Sequence, residues 1–548
     1  MSTLSQAKTR SFDVIVVGTG MGGGTVGYAL ARRGLKVLFL ERGKAHTHES
    51  PSGAYPEKTQ PARMSEEQKL ARLRESLRFM ETITDVSTGH PHGFTPILGQ
   101  GVGGSSALYG MVFERYFPSD FAPRQYFPDA GESTVPEKWP ITYETLAPYY
   151  VEAEKLYRVR GTVDPLRPPG EARGLVGEPP ALSPNGKAMN QLLSAKGLHT
   201  YRLPTAAEFV DQCPGCQGFL CNRSCKNDSY RVCIAPALAS HGAELLAECE
   251  VTRLEASKTE VTGVVCRQGG EEATLRAPIV ILGAGAFSTP SLLLRSTSTQ
   301  WPDGLANGSD MVGRNFMRHQ VDLCVVFGEK PREDVNPKEL AFNDFYLHPE
   351  AKLGTVQSFG LLPPNPVLAS MLATEMRQNP NFLTEALVPF TPFITSIGGK
   401  LLENSTILAP IMEDLPYKEN AVRPGKDGGY DLHYQNHASE KRRIKVFRKL
   451  MGKVLRGEFV FPIRQATDNR VLGHACGTCR FGLDPKDSVL DASNKAHELK
   501  NLYVVDSSFL PSSAGTNPSL TLAANALRVA ESIAGLSRPA DPAPPASA

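Results

Sequence analysis

Short apolar runs separated by glycine-rich or polar breaks recur along the chain, and the first sets the pattern. Phe12-Asp-Val-Ile-Val-Val17 has the length and composition of a buried strand, and Gly18-Thr-Gly-Met-Gly-Gly23 follows at once. From Thr25 to Arg33, Val26, Ala29 and Leu30 recur at helical spacing, and Gly34 ends that helix. Lys36-Val-Leu-Phe-Leu40 reads as a second strand, closed by Glu41. Ala277-Pro-Ile-Val-Ile-Leu-Gly-Ala-Gly-Ala-Phe-Ser-Thr-Pro290 repeats the order of strand, glycine turn and helix start. Trp139 to Tyr150 leads into a helix, and Ser65-Glu-Glu-Gln68 has the form of a capping box opening a helix to about Glu81. Between Lys441 and Arg456 the positions Ile444, Phe447, Leu450 or Met451, and Val454 mark one apolar face of a basic helix. This pattern predicts a surface helix docked on its domain, with membrane or acidic-partner binding as the alternative. Asn517 before Pro518 reads as the cap and first residue of a helix running from Ser519 to Val529.

Composition narrows the class. At 548 residues the chain has room for two to four domains. Lys and Arg (59) nearly balance Asp and Glu (57), which argues against nucleic acid as a partner. Glycine (49) and proline (43) are in unperiodic excess, so their placement matters more than their number. No run of 18 apolar residues suggests a membrane span. The polar start, Met1 to Ser11, lacks the apolar core of a signal peptide, so a cytoplasmic location is expected. The Pro/Ala-rich tail, 536–548, reads as disordered.

The candidate chemistry begins at the first turn. Strand, glycine turn, helix and strand with Gly18, Gly20 and Gly23 at the turn is the dinucleotide-binding arrangement. The first glycine allows the bend, the second lets a pyrophosphate approach the backbone, and the third lets helix and strand pack closely. The helix N-terminus offers unpaired N–H groups to the phosphates, and Glu41 is placed for the ribose hydroxyls. NAD and FAD both satisfy this pattern.

Further segments bear on that choice. They are Gly99-Gln-Gly-Val-Gly-Gly-Ser-Ser-Ala-Leu-Tyr-Gly-Met111, His474-Ala-Cys-Gly-Thr-Cys-Arg-Phe-Gly482, Asn501-Leu-Tyr-Val-Val-Asp506 and Ser512-Ser-Ala-Gly-Thr-Asn-Pro-Ser-Leu-Thr-Leu522. With the Ala277–Pro290 segment, the sequence from residue 12 to about 535 resembles the glucose–methanol–choline (GMC) oxidoreductases, which bind FAD.

The resemblance implies an α/β fold with a discontinuous Rossmann-like FAD-binding domain (1–50, 95–160, 210–315 and 465–535). An α+β substrate-binding domain on an antiparallel sheet would take 160–210 and 316–464, with 51–94 as a lid or extension. It implies oxidation of a CH–OH group of an alcohol or sugar, with hydride passing to flavin N5 and oxygen, a quinone or another carrier as electron acceptor. His474 occupies the family's catalytic histidine position and would be the base; Asn517 would hold the substrate oxygen. Gly103, Gly104, Ser105, Tyr109, Gly110, Met111, Ala284, Asp506, Asn517 and Pro518 would join Gly18, Gly20, Gly23 and Glu41 around the cofactor. Tyr109 departs from the family, which often has asparagine there, and the loop holds no His or Cys for covalent attachment, so non-covalent FAD is expected. Met412-Glu-Asp-Leu-Pro416 resembles a family segment with a structural role. Two alternatives remain: a hydroxynitrile-lyase type of enzyme that keeps FAD without redox turnover, and a flavoprotein subunit of an electron-transfer dehydrogenase complex.

The cysteines need separate treatment. Cys213, Cys216, Cys221 and Cys225 fall within 13 residues, with Cys233 close behind. Such a group could hold zinc or an iron–sulfur cluster. Free thiols or one or two disulfides are favoured, so no metal is expected.

Overall fold

Five short strands lie parallel in the computed structural model, in the order Leu502–Val504, Ile279–Leu282, Val14–Val17, Val37–Leu40 and Glu244–Leu246. The structure describes residues 3–45, 65–210, 217–328, 338–359, 382–402 and 405–537, with a few positions between 369 and 376. The helix that follows the first strand packs on the strands Val14–Val17 and Val37–Leu40, and the strands are buried almost throughout, so they appear in the sequence as unbroken apolar runs. The helix after the first strand runs Met21–Ala31 and packs against the C-terminal helix Ser519–Ser537. Tyr143–Leu156 packs beside that same C-terminal helix, and the Tyr150 hydroxyl meets Thr521 Oγ1 at 2.8 Å.

A second, antiparallel sheet stands apart from the first. Its order is Val460–Ile463, Leu323–Phe327, Ser405–Met412, Val356–Ser358, Leu340–Phe342 and Tyr201–Arg202, with Gln320–Val321 also on Ser405–Met412. Alternate side chains face opposite sides. Cys324, Val326, Leu408 and Met412 join Ile444, Phe447, Leu450, Met451 and Val454 of the helix Ala438–Val454 in one core. That helix is the basic one, and its apolar face is the one read from the sequence. Two of its arginines turn inward: Arg443 donates to the Glu413 carbonyl at 2.7 Å and Arg448 pairs with Asp322 at 2.6 Å. The other side of the sheet carries Val321, Leu323, Val325, Ile407, Ala409 and Ile411.

Three boundaries differ from the sequence reading. The helix after the first strand starts at Met21, not Thr25, because Gly22 and Gly23 pack directly on other backbone and are drawn into the helix. The capping box at Ser65 forms, but its helix ends at Glu75. Beyond it, Ile83–Asp85 pairs with His92–Phe94 and with Tyr430–His433, tying the 65–94 segment into a four-stranded sheet. The C-terminal helix starts one residue after Pro518 and runs on to Ser537. Residues 538–548, most of the segment expected to be disordered, lie outside the described residues, as do Cys213 and Cys216. Among the described residues no helix is long and apolar enough to cross a membrane.

Candidate active site

The first glycine turn shows what each glycine does. Gly18 has φ +93°, and a Cβ there would lie 2.5 Å from the Gly283 carbonyl oxygen. At Gly22 a Cβ would fall 1.9 Å from the Val505 oxygen, and at Gly23 2.1 Å from the Gly18 oxygen. Gly20 is different: its nearest neighbour is the Gly283 oxygen at 3.8 Å, so its Cα opens on a cavity. It caps the helix that begins at Met21, whose first N–H groups have no partner within the helix. These are the features needed by a pyrophosphate lying over the turn.

The cavity measures about 1370 Å³ and runs from this turn to the antiparallel sheet. Gly18, Gly20, Glu41, Gly104, Ser105, Tyr109, Gly110, Ala284, Asp506, Asn517 and Pro518 all line it. Gly23, Gly103 and Met111, also expected around the cofactor, do not. Gly23 is occupied in packing helix on strand, and the Gly103 N–H donates to Thr19 Oγ1 at 3.1 Å, tying the second glycine loop to the first. Met111 is buried behind the loop. Tyr109 reaches the wall, but its hydroxyl donates to the Asn227 carbonyl at 2.6 Å. Glu41 accepts from Thr19 N at 3.1 Å, Thr19 Oγ1 at 2.6 Å and Gly43 N at 2.9 Å. Burial raises its pKa, against the pull of those donors. Its oxygens keep further lone pairs for ribose hydroxyls. The open face at Gly20, the helix N-terminus and Glu41 fit the adenosine-diphosphate half of FAD.

At the other end stands His474. Its loop is held by a short ladder in which Met317 and Cys476 exchange backbone hydrogen bonds of 2.9 Å and His319 N donates to the Gly473 carbonyl at 2.7 Å. His474 itself has φ +59°, a left-handed conformation that non-glycine residues rarely adopt. The ladder brings His319 against it, with the two Nδ1 atoms 2.7 Å apart.

The tautomers follow from the outer partners. His319 Nε2 lies 2.9 Å from the Ala514 carbonyl and 3.2 Å from that of Ser513, and carbonyls only accept. Nε2 therefore carries the proton of a neutral His319, and Nδ1 accepts from His474 Nδ1–H. His474 Nε2 is left with a lone pair on the cavity wall. Asn517 Nδ2 donates to it at 3.2 Å, while Asn517 Oδ1 accepts from Gln357 Nε2 at 2.8 Å. The Asn517 amide is thus turned to Gln357 and His474, not to the helix N-terminus. Burial keeps both rings neutral: His319 is pushed down to about 4, and His474 well below its ordinary value, with His319 and Lys338 adding to the effect. The array can accept one proton at His474 Nε2 once the Asn517 N–H gives up that lone pair.

His319, Gln357 and Lys338 were missed by sequence reading. His319 lies in Arg314-Asn-Phe-Met-Arg-His-Gln320, which carries no spacing signal; only its pairing with the His474 loop reveals it. Gln357 and Lys338 reach the cavity from neighbouring parts of the antiparallel sheet. Glu413 and Asp414, in the Met412–Pro416 segment, are structural: Glu413 pairs with buried Lys352, and Asp414 accepts from Arg318 N at 3.1 Å and the Tyr434 hydroxyl at 2.9 Å. Of the cysteine cluster, Cys221 and Cys225 are buried with sulfurs 3.4 Å apart, whereas Cys233 meets the Tyr157 hydroxyl at 3.4 Å.

Known proteins resemble the chain over almost its whole length. The chain is 29% identical to 6'''-hydroxyparomomycin C oxidase of Streptomyces lividus, covering 96% of this chain and 92% of that one. It is 27% identical to 2-methyl-1,2-propanediol dehydrogenase of Mycolicibacterium austroafricanum, covering 95% of each. The crystal structure of pyridoxine 4-oxidase from Mesorbium loti superposes with a TM-score of 0.63 at 18% identity, over 95% of this chain and 99% of that one. The family models for GMC oxidoreductases match residues 12–321 and 422–526. The chain belongs to the GMC oxidoreductases, a family of FAD-dependent enzymes.

Proposed function

We propose that the protein oxidises a CH–OH group of a small-molecule alcohol or sugar to a carbonyl, with His474 as the base. The observation that carries this reading is the ordered set of hydrogen bonds from the Ala514 carbonyl through His319 and His474 to Asn517, on the wall of the cavity that the dinucleotide turn also lines. Gly18, Gly20 and Glu41 would hold FAD, which when bound would supply the acceptor for the hydride leaving the carbon. His474 Nε2 takes the hydroxyl proton as the hydride departs, so the substrate loses one proton and one hydride. The resulting imidazolium keeps its Nδ1–H on His319, a charge-assisted bond that strengthens as the charge forms. The Asn517 amide N–H is placed to hold the substrate oxygen. The segments 1–50, 95–160, 210–315 and 465–535 would form the cofactor domain and 160–210 with 316–464 the substrate domain. FAD is held non-covalently, since the Gly99–Met111 loop offers no His or Cys. Oxygen, a quinone or another carrier would take up the electrons.

Substituting His474→Ala tests the base. The expected loss in kcat is about 10²–10⁴, with flavin retained. Turnover equal to the wild type would remove His474 from the role. Anaerobic bleaching of the bound flavin by an alcohol separates oxidation from lyase activity.

A further inference from the structure

We infer that the alcohol taken by this site is uncharged and largely apolar, lying with its hydrocarbon body under the antiparallel sheet and its hydroxyl at the His474 end. This rests on the oxidation reading above and narrows its substrate class.

The first support is the face the sheet turns to the cavity. Val321, Leu323, Val325 and Phe327 follow one another at every second position, and Ile407 and Ile411 continue the surface on the neighbouring strand. Phe359 and Ile463 complete the same apolar cluster. The opposite face of these strands is filled by the helix Ala438–Val454, so its apolar side chains need no further partner. The cavity-facing set looks into the cavity, with the helix Thr391–Leu402 packed on part of the strand Leu323–Phe327 and bringing Ile394 to the same space. A protein side chain set of this kind, lining an enclosed space, is the ordinary lining of a site for an apolar molecule.

The second support is where the polar side chains stand. His474, Asn517, Gln357 and Lys338 line the cavity at the catalytic end. Arg464, Gln465, Asp468 and Arg470 line it along the segment after Val460–Ile463, where Arg470 and Asp468 already bond to each other at 2.9 Å and 2.6 Å. Among the described residues the roof strands Val321–Phe327 and Ile407–Ile411 present no polar side chain to the cavity. A sugar carries a hydroxyl on nearly every carbon. Lying here it would set those groups against methyl and phenyl surface, and each hydroxyl left without a partner weakens binding by roughly tenfold.

Charge and access give two further constraints. The Lys338 amine lies against Gly110 on the cavity wall, and burial and the nearby Lys226 hold it down to about 7. The same burial that pushes Lys338 toward its neutral form would penalise an ammonium group on the substrate. Phe461 lines the cavity yet is 54% exposed, which marks an opening to solvent. Phe459, 75% exposed, packs on Phe327 with ring centroids 4.9 Å apart, so the way in is apolar as well.

The test is anaerobic bleaching of the bound flavin in the holoenzyme, measured at limiting substrate. One panel holds straight-chain primary alcohols from butanol to octanol and benzyl alcohol. The other holds glucose, sorbitol and glucosamine. The second-order rate of bleaching is expected to rise about fourfold per added methylene along the alkanols, the usual value of burying a CH₂. The sugars and the amino sugar are expected to bleach far more slowly. In an Ile407→Thr variant, the gain per methylene should shrink along the alkanol series. A flat alkanol series, or glucose or glucosamine outpacing hexanol, overturns the inference while leaving the oxidation reading intact. No bleaching by either panel overturns both.

Discussion

Replacing His319 by phenylalanine keeps a ring of similar size but removes the acceptor for His474 Nδ1–H. In the structure that acceptor is 2.7 Å away, with His319 fully buried and His474 half-buried on the cavity wall. The ground state then holds an unpaired N–H, and the other His474 tautomer, with its proton on Nε2, is no longer penalised. The larger effect falls on the transition state, where His474 becomes cationic. A hydrogen bond to a charged group contributes about 1.5–3 kcal/mol, which converts to roughly 10- to 150-fold in rate. The assay is the limiting rate of anaerobic flavin bleaching at saturating alcohol, with the apparent substrate dissociation constant read from the same series. We expect the limiting rate to fall by about two orders of magnitude with binding nearly unchanged, because His319 does not line the cavity. His319→Asn, whose side-chain oxygen can accept from Nδ1–H, should recover much of the loss. A wild-type limiting rate in His319→Phe would refute the tautomer argument. Equal damage in the Phe and Asn variants would assign His319 to packing alone.

Four other outcomes are expected. Gly22→Ala should fail to give a stable fold, since its Cβ meets the Val505 carbonyl, whereas Gly20→Ala should keep the melting temperature of the apoprotein and lose FAD affinity; equal melting temperatures for both would contradict the packing described. Acid precipitation should release the flavin into the supernatant, and flavin retained in the pellet would demonstrate a covalent link. His319 is neutral in the fold and protonates near 6.5 when unfolded, so its contribution is complete above that pH and is lost as pH falls toward about 4. This amounts to about 3 kcal/mol over the window, checked by chemical denaturation at several pH values. The bleaching rate should show no inflection from His474 itself near pH 6.5, since burial, His319 and Lys338 hold it well below its ordinary value, while Lys338, held down to about 7, is the neighbour that titrates in this range. An inflection at 6.5 that persists in Lys338→Met would mean that the base is solvated.

The legible parts of this fold are those written in contiguous residues. The strand Val14–Val17, the turn at Gly18 and the strand Ile279–Leu282 were readable because a parallel sheet buried on both faces demands unbroken apolar runs. His474 and Asn517 were readable through the motifs around them. The start of the helix after the first strand was not, because Met21-Gly-Gly-Gly24 has poor helix propensity and winds up only through its close packing on Val505 and Gly18. His319 and Gln357 were invisible for another reason. Each lies 155 and 160 residues from its partner, His474 and Asn517, and antiparallel pairing leaves no short-range mark of which side chains will meet. Tyr109 shows the converse, a motif position whose hydroxyl is claimed by a backbone carbonyl far along the chain.

The order of strands in the parallel sheet also governs when the enzyme can become active during its own synthesis. Val14–Val17 leaves the ribosome first, but one of its neighbours begins at Ile279, and the next strand across begins at Leu502. Gly22 packs on Val505, and the cavity wall is closed by Asn517 and Pro518. At ordinary elongation rates of about 5–20 residues per second, the nucleotide turn therefore waits roughly half a minute or more for its last partner. A nascent chain stalled before residue 500 therefore lacks part of the sheet and of the cavity wall that the nucleotide turn needs.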